Sequence, residues 1–135
     1  MRVLLADDQK ELRSAMRLLL EQEPDTTLVG EVTEVAALVV EVTAASPDLL
    51  LLDWELPELK GADAGKRLLQ SLHGKHPHLL VIVLSGRPEC GRAALAAGAN
   101  AFVSKTEPPE KLLAALNGLR RYSQENCAGE ARREP

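Results

Sequence analysis

The chain alternates short, wholly apolar runs with longer stretches whose apolar residues recur every three or four positions. Residues 2–6 (RVLLA) form the first run and stop at two acids, as a strand buried on both faces would. Residues 9–22 follow with Leu12, Met16, Leu19 and Leu20 at helical spacing, and Pro24 and Asp25 close that helix. Residues 27–33 predict a second strand. Residues 34–45 predict a helix, against the strand preference of the β-branched Val35, Val39, Val40 and Val42. After Pro47, residues 48–53 (DLLLLD) carry the strongest buried-strand pattern. Residues 54–60 read as a loop, and Gly61 opens a helix to about 73. Residues 79–84 predict a fourth strand. A helix over about 88–97 ends at Gly98, a residue type suited to a C-terminal cap. Residues 100–104 predict a fifth strand. Pro108 and Pro109 start a last helix with Leu112, Leu113, Leu116 and Leu119 on one face. Residues 123–135 are polar and read as a frayed tail, which leaves one domain over 1–122.

Five strands alternating with five helices predict an α/β fold, a parallel sheet covered on both faces. Right-handed crossovers leave few topologies. The flavodoxin-like order 2-1-3-4-5, in a three-layer α/β/α sandwich, is the common one for five strands.

Composition narrows the picture further. A length of 135 residues suits one core, and 45% hydrophobic residues can fill it. That core must be aliphatic, because Trp54, Phe102 and Tyr122 are the only aromatics. The net charge of -4 argues against direct nucleic-acid binding. Cys90 and Cys127 have no partner at metal-ligand or disulfide-framework spacing, which fits a reducing cytosol. No stretch is long enough for a membrane span, and the apolar start is too short for a signal peptide, so the expected location is the cytoplasm.

The chemistry of such a sheet gathers at the carboxyl ends of its strands, near the topological switch point. Strand one ends in Asp7 and Asp8, strand three in Asp53, strand four in Ser85, and strand five in Ser104 and Lys105. Each alone has an ordinary explanation. An acid there is often a solvated turn or helix cap, a lysine a surface charge, a serine a turn former and Phe102 a core residue. Jointly they predict a site, since the switch point lies between strands one and three. Three converging carboxylates repel one another unless a proton or cation intervenes. An all-oxygen set beside a phosphate suits Mg²⁺. Lys105 adds a positive charge, and Ser85 a hydroxyl able to bond a phosphoryl oxygen.

These residues resemble the CheY-like receiver family of bacterial two-component signalling over about residues 1–122. VLLADDQ resembles the family's acidic pair. LLLLDWELPELKG resembles its phosphoacceptor strand and loop, VIVLSG its Ser/Thr strand, and AALAAGANAFVSK its closing aromatic and lysine. The resemblance implies that Asp53 is the phosphoacceptor. Asp7, Asp8, Asp53 and the Glu55 backbone carbonyl would hold Mg²⁺, with Asp8 a direct ligand. Ser85 and Lys105 would bind the phosphoryl group, and Phe102 would reorient on activation. Glu55 and Arg87, each two residues past a site residue, would pair across the mouth and tune dephosphorylation. The implied partners are a sensor histidine kinase, an output domain or downstream protein, and a second copy on activation.

Some features depart from the family pattern. The stretch from Ser85 to Lys105 is about two residues short, and Lys60 stands where a small polar or acidic residue is usual. Thr106 replaces the common proline, as in members fused to helix-turn-helix output domains. The remaining tail is too short for such a domain, so the chain is either a stand-alone receiver or part of a longer regulator. A pseudo-receiver that is never phosphorylated and a haloacid-dehalogenase-like phosphatase share parts of this pattern. The first lacks an intact constellation, and the second places its nucleophile on the first strand. A dinucleotide site would need a GxGxxG after that strand, which is absent.

Overall fold

A computed structural model describes residues 1–61 and 63–133, with side chains described as far as Gln124. Its elements run β1 (Arg2–Ala6), α1 (Lys10–Glu21), β2 (Thr27–Val32), α2 (Val35–Ala45) and β3 (Leu49–Asp53). A 3-10 turn (Pro57–Leu59), α3 (Ala64–Lys75) and β4 (Leu80–Ser85) follow. A second 3-10 turn (Pro88–Cys90), α4 (Gly91–Ala96), β5 (Ala101–Ser104) and α5 (Pro109–Arg133) complete the chain. All strand pairings are parallel, in the order β2-β1-β3-β4-β5.

Alternation along each strand divides the apolar residues between two cores. In β3, Leu50 and Leu52 face one side with Leu4, Ala6, Val81 and Val83, beneath α2, α3 and α4. Leu49 and Leu51 face the other with Val3, Leu5, Ile82 and Leu84, beneath α1 and α5. The four leucines of β3 are completely buried. At roughly 1.5–3 kcal/mol per buried leucine side chain, they fix the strand that delivers Asp53. The valine-rich α2 is helical because a parallel crossover from β2 to β3 needs one, and Leu38 and Val42 supply its buried face. Val40 stays 68% exposed on its outer side.

Three boundaries differ from the sequence reading. The third helix begins at Ala64 rather than Gly61 and continues to Lys75. The expected loop before it contains the Pro57–Leu59 turn, which buries Leu59, and Asp63 enters the helix with φ 61°. The expected helix over 88–97 is a 3-10 turn followed by only six α-helical residues, because Pro88 tightens its start. Gly98 closes it with φ 115°, as expected of a C-terminal glycine. The last helix continues to Arg133, where a frayed tail was expected from 123. No proline interrupts it before 135, and Gly129 alone weakens a helix without ending it. Cys127 lies beyond the described side chains, and Pro135 beyond the described residues.

Trp54, directly after the β3 carboxyl end, lays its indole on α3 at Gly65. A Cβ at position 65 would meet Trp54 Cζ2 at 2.5 Å. Gly74, on the same helix, has nothing within 4 Å of its Cβ position. Gly65→Ala is therefore expected to destabilise the fold by about 1–3 kcal/mol through overpacking and to shift Trp54 fluorescence. Gly74→Ala should stabilise it by roughly 0.5–1 kcal/mol. Urea titration of the two variants checks the pair, and similar effects of like sign would contradict this packing.

Candidate functional site

The parallel order brings the ends of β1, β3, β4 and β5 to one rim of the sheet. Asp7 and Asp53 are buried there, as is Ser85. Asp7 Oδ1 accepts a hydrogen bond from the Gln9 amide (2.8 Å), and Asp53 Oδ1 accepts one from the Glu55 amide (2.9 Å). Both bonds hold a carboxylate against its own chain two residues on, a local turn that fixes the side chain's direction.

Lys105 joins the strands. Its backbone amide donates to the Ser85 carbonyl (2.8 Å), which extends the β4–β5 ladder by one residue. Its ammonium lies 3.0 Å from Asp53 Oδ1 and 3.1 Å from Asp7 Oδ2, and it donates to Gln9 Oε1 at 3.2 Å. Burial alone would lower the Lys105 pKa, but the bonds and charges of Asp53 and Asp7 outweigh it and hold the pKa above its usual value. Asp53 is raised as well, but there burial drives the shift instead of opposing it. Burial is the leading cause that pushes its pKa up from 3.8 to about 6, and the Asp7 charge adds to that. The Glu55 amide and Lys105 offset only part of it.

Asp53 Oδ2 is buried and has no hydrogen-bond partner. Asp7 Oδ2 has no hydrogen bond either and meets only the Lys105 ammonium. Asp8 is exposed and lines the cleft above Asp53. One carboxylate oxygen from each of Asp7, Asp8 and Asp53 falls within 4.8 Å of the others. Three acids with one ammonium leave an excess of negative charge and an unpaired buried oxygen. That donor set fits a hard divalent cation with oxygen ligands.

The cleft holds about 790 Å³ and is also lined by Trp54, Glu55, Arg87 and Cys90. The expected Glu55–Arg87 pair is not formed: among the described residues, no ion pair joins them. Glu55 turns inward instead. Its Oε1 accepts from Ser85 Oγ and from the Gly86 amide, each at 3.0 Å, and its Oε2 lies 4.0 Å from Lys105 Nζ. The two nearby donors satisfy the carboxylate better than an exposed guanidinium would, because an exposed pair gains little. Ser85 Oγ in turn accepts from the Arg87 amide (3.0 Å). Phe102 is half-buried on β5, and Gly91 of α4 faces its ring. Gln9, which the sequence reading did not single out, joins the site through both its amide and its side chain. A glutamine after two acids at a helix start carries no signal of its own.

Known proteins resemble this chain in sequence and fold. A family model described as the response regulator receiver domain matches residues 3–117. The nitrate/nitrite response regulator protein NarL of Escherichia coli (strain K12) is 34% identical over 116 residues, which is 85% of this chain and 52% of NarL. A putative transcriptional regulator of Pseudomonas aeruginosa is 35% identical over 118 residues, 87% of this chain and 56% of that protein. The chain thus spans about half the length of these relatives. The isolated REC domain of RcsB from Salmonella enterica serovar Typhimurium, solved in the presence of phosphomimetic BeF3-, superposes with a TM-score of 0.79. It is 29% identical, over 90% of this chain and 88% of the domain.

The raised Asp53 pKa fixes a pH dependence. A carboxyl whose pKa is higher folded than unfolded favours folding when protonated, and that contribution is lost as pH rises from 3.8 through about 6. In magnesium-free buffer at pH 7.5, Asp53→Asn should therefore be about 1–3 kcal/mol more stable than wild type. The difference should shrink towards pH 4. Urea midpoints at the two pH values check this, and a pH-independent difference would contradict it.

Proposed function

The chain belongs to the response-regulator receiver family of two-component signalling, and on that footing we propose that Asp53 takes a phosphoryl group from a sensor histidine kinase. The observation that carries this reading is the buried, unpartnered Asp53 Oδ2 beside a held Oδ1. One oxygen is fixed by the Glu55 amide and Lys105, and the other is left to act as nucleophile. Oδ2 attacks the phosphorus of a phosphohistidine in line. The new P–O bond forms as the P–N bond breaks, and the leaving imidazole nitrogen takes a proton. The product is an acyl phosphate on Asp53.

Lys105 bonds a phosphoryl oxygen and offsets the added negative charge. Asp7, Asp8, Asp53 and the Glu55 backbone carbonyl would hold Mg²⁺, with Asp8 reaching it from the cleft side. When bound, that ion neutralises charge on the phosphoryl oxygens during transfer. Ser85 turns its hydroxyl to the phosphoryl group, and Phe102 moves inward behind it. The change is a shift in population between two packings of the same chain. Phe102 meets α4 at Gly91, so α4 is the element that must give way. Arg87, at the cleft mouth with Glu55 turned away, tunes dephosphorylation as a charge in the path of water.

The receiver unit spans 1–122, and it acts in the cytoplasm as a phosphoacceptor rather than as a turnover enzyme. Among the described residues, no helix is long and apolar enough to cross a membrane. RcsB has been solved bound to the promoter rprA. A DNA-binding output in this system would come from a separate domain or partner, since this chain carries a net charge of -4. A homodimer formed on activation is a further expectation.

Incubation with acetyl phosphate and Mg²⁺, read by intact mass, should give one phosphoryl adduct, and Asp53→Asn should abolish it with the fold intact. Labelling of the Asn variant at equal stoichiometry would place the acceptor elsewhere. Phosphate release without an adduct would indicate a phosphatase, and the absence of both a pseudo-receiver. Magnesium should titrate Trp54 fluorescence weakly, because few protein ligands are offered and most of the shell stays water. Asp8→Ala should weaken that titration about tenfold or more. An unchanged curve would remove Asp8 from the ion.

A further inference from the structure

A phosphoryl group on Asp53 would be met by an anion-binding pocket with three donors: the Ser85 hydroxyl, the Gly86 amide and the Lys105 ammonium. In the structure the Glu55 carboxylate already holds two of them. Its Oε1 accepts from Ser85 Oγ and Gly86 N, each at 3.0 Å, and its Oε2 stands 4.0 Å from Lys105 Nζ. We propose that Glu55 is an internal occupant of the phosphoryl pocket, so that phosphorylation of Asp53 must displace it before the switch can complete. This rests on Asp53 being the phosphoacceptor.

The argument is one of hydrogen-bond inventory. A serine hydroxyl has one proton to give. Ser85 gives it to Glu55 while its oxygen accepts from the Arg87 amide at 3.0 Å. It cannot donate to a phosphoryl oxygen until Glu55 lets go. Glu55 also lies in contact with the Gly86 backbone: a Cβ there would meet Glu55 Oε1 at 3.4 Å. The Glu55 carboxylate and a phosphoryl group in one pocket repel as like charges, which makes the exchange exclusive. Displacement is feasible because the Glu55 side chain is 36% exposed and can swing to water. Its backbone stays where it is, with the amide on Asp53 Oδ1 at 2.9 Å. One residue thus touches the acceptor through its main chain and the switch hydroxyl through its side chain. Glu55 sets how readily the domain takes the group, and it is a positioning residue.

Two effects of removing Glu55 must be separated: loss of a negative charge near the anion, and release of the pocket. Glu55→Asp separates them, since it keeps the charge but is one methylene too short to reach Ser85 and Gly86. The probe is beryllofluoride, titrated by Trp54 fluorescence at fixed excess Mg²⁺. Both Glu55→Ala and Glu55→Asp should tighten its apparent binding about tenfold, the worth of one charge-assisted bond no longer competed for. In a Ser85→Ala background the gain from Glu55→Asp should fall below about threefold, because the contested donor is gone. Before any beryllofluoride is added, the Gly86 amide proton should move upfield in Glu55→Asp. If the Asp variant binds like wild type while the Ala variant tightens, only the charge matters and the displacement idea fails. Weaker binding in both variants would overturn it too, by making Glu55 a support of the bound state. If the wild type binds no beryllofluoride while remaining folded, the assignment of Asp53 falls and the displacement idea with it.

Discussion

The site depends on one ammonium ion held among acids. Lys105 lies within 3.1 Å of two buried carboxylates that belong to different strands. Without that cation, Asp7 and Asp53 would face each other as like charges in a region of low dielectric. With it, each acid keeps one oxygen on a backbone amide, and Lys105 meets the other oxygen of Asp7 and the same oxygen of Asp53. The cost of burying three charges is offset only because every one has a partner. The sheet order makes this contact possible. Only when β1 and β3 are neighbours, with β5 two strands further on, can a lysine after β5 reach both acids.

The scaffold is uneven in stiffness, and the unevenness suits a switch. The four leucines of β3 are wholly buried between two cores, so the Asp53 carboxylate sits on a firmly packed element. On the far edge, α4 has six residues, GRAALA, with one buried side chain. Small residues there give few contacts to break, and Gly91 leaves the Phe102 ring against a bare backbone. The proposed chemistry would thus be anchored, and the proposed response lodged where packing is light, as expected when low local stability and function coincide.

Much of this was legible in the sequence. The apolar runs stopped at the residues of the candidate site, because a buried parallel strand needs unbroken aliphatic side chains and its end needs solvent or chemistry. Hence Asp7, Asp53, Ser85 and Lys105 could be placed at one rim from position alone. Helix limits were less legible. Pro57 and Pro88 each nucleated a 3-10 turn where a loop or full helix was expected, since a proline at a first turn suits both forms. The direction of Glu55 was not legible at all. Spacing puts residues 55 and 87 near the mouth, but only the positions of the Ser85 hydroxyl and Gly86 amide decide which way a flexible carboxylate turns. The helical continuation past 122 was missed because a polar stretch without a packing face looks the same whether helical or frayed.

The contact between Trp54 and Gly65 has a consequence on another scale. The indole next to Asp53 fits because residue 65 has no side chain, so residue 65 is not free to change while the ring remains. Over evolutionary time the two should drift as a pair. Descendants that gain a side chain at 65 should be those in which 54 has already shrunk, and a large ring at 54 should be inherited together with glycine at 65. The order of events is fixed as well: the ring must go first, since the intermediate with both side chains does not fit. A lineage's history at these two sites would then be read from one packing contact, independently of the acids at the rim.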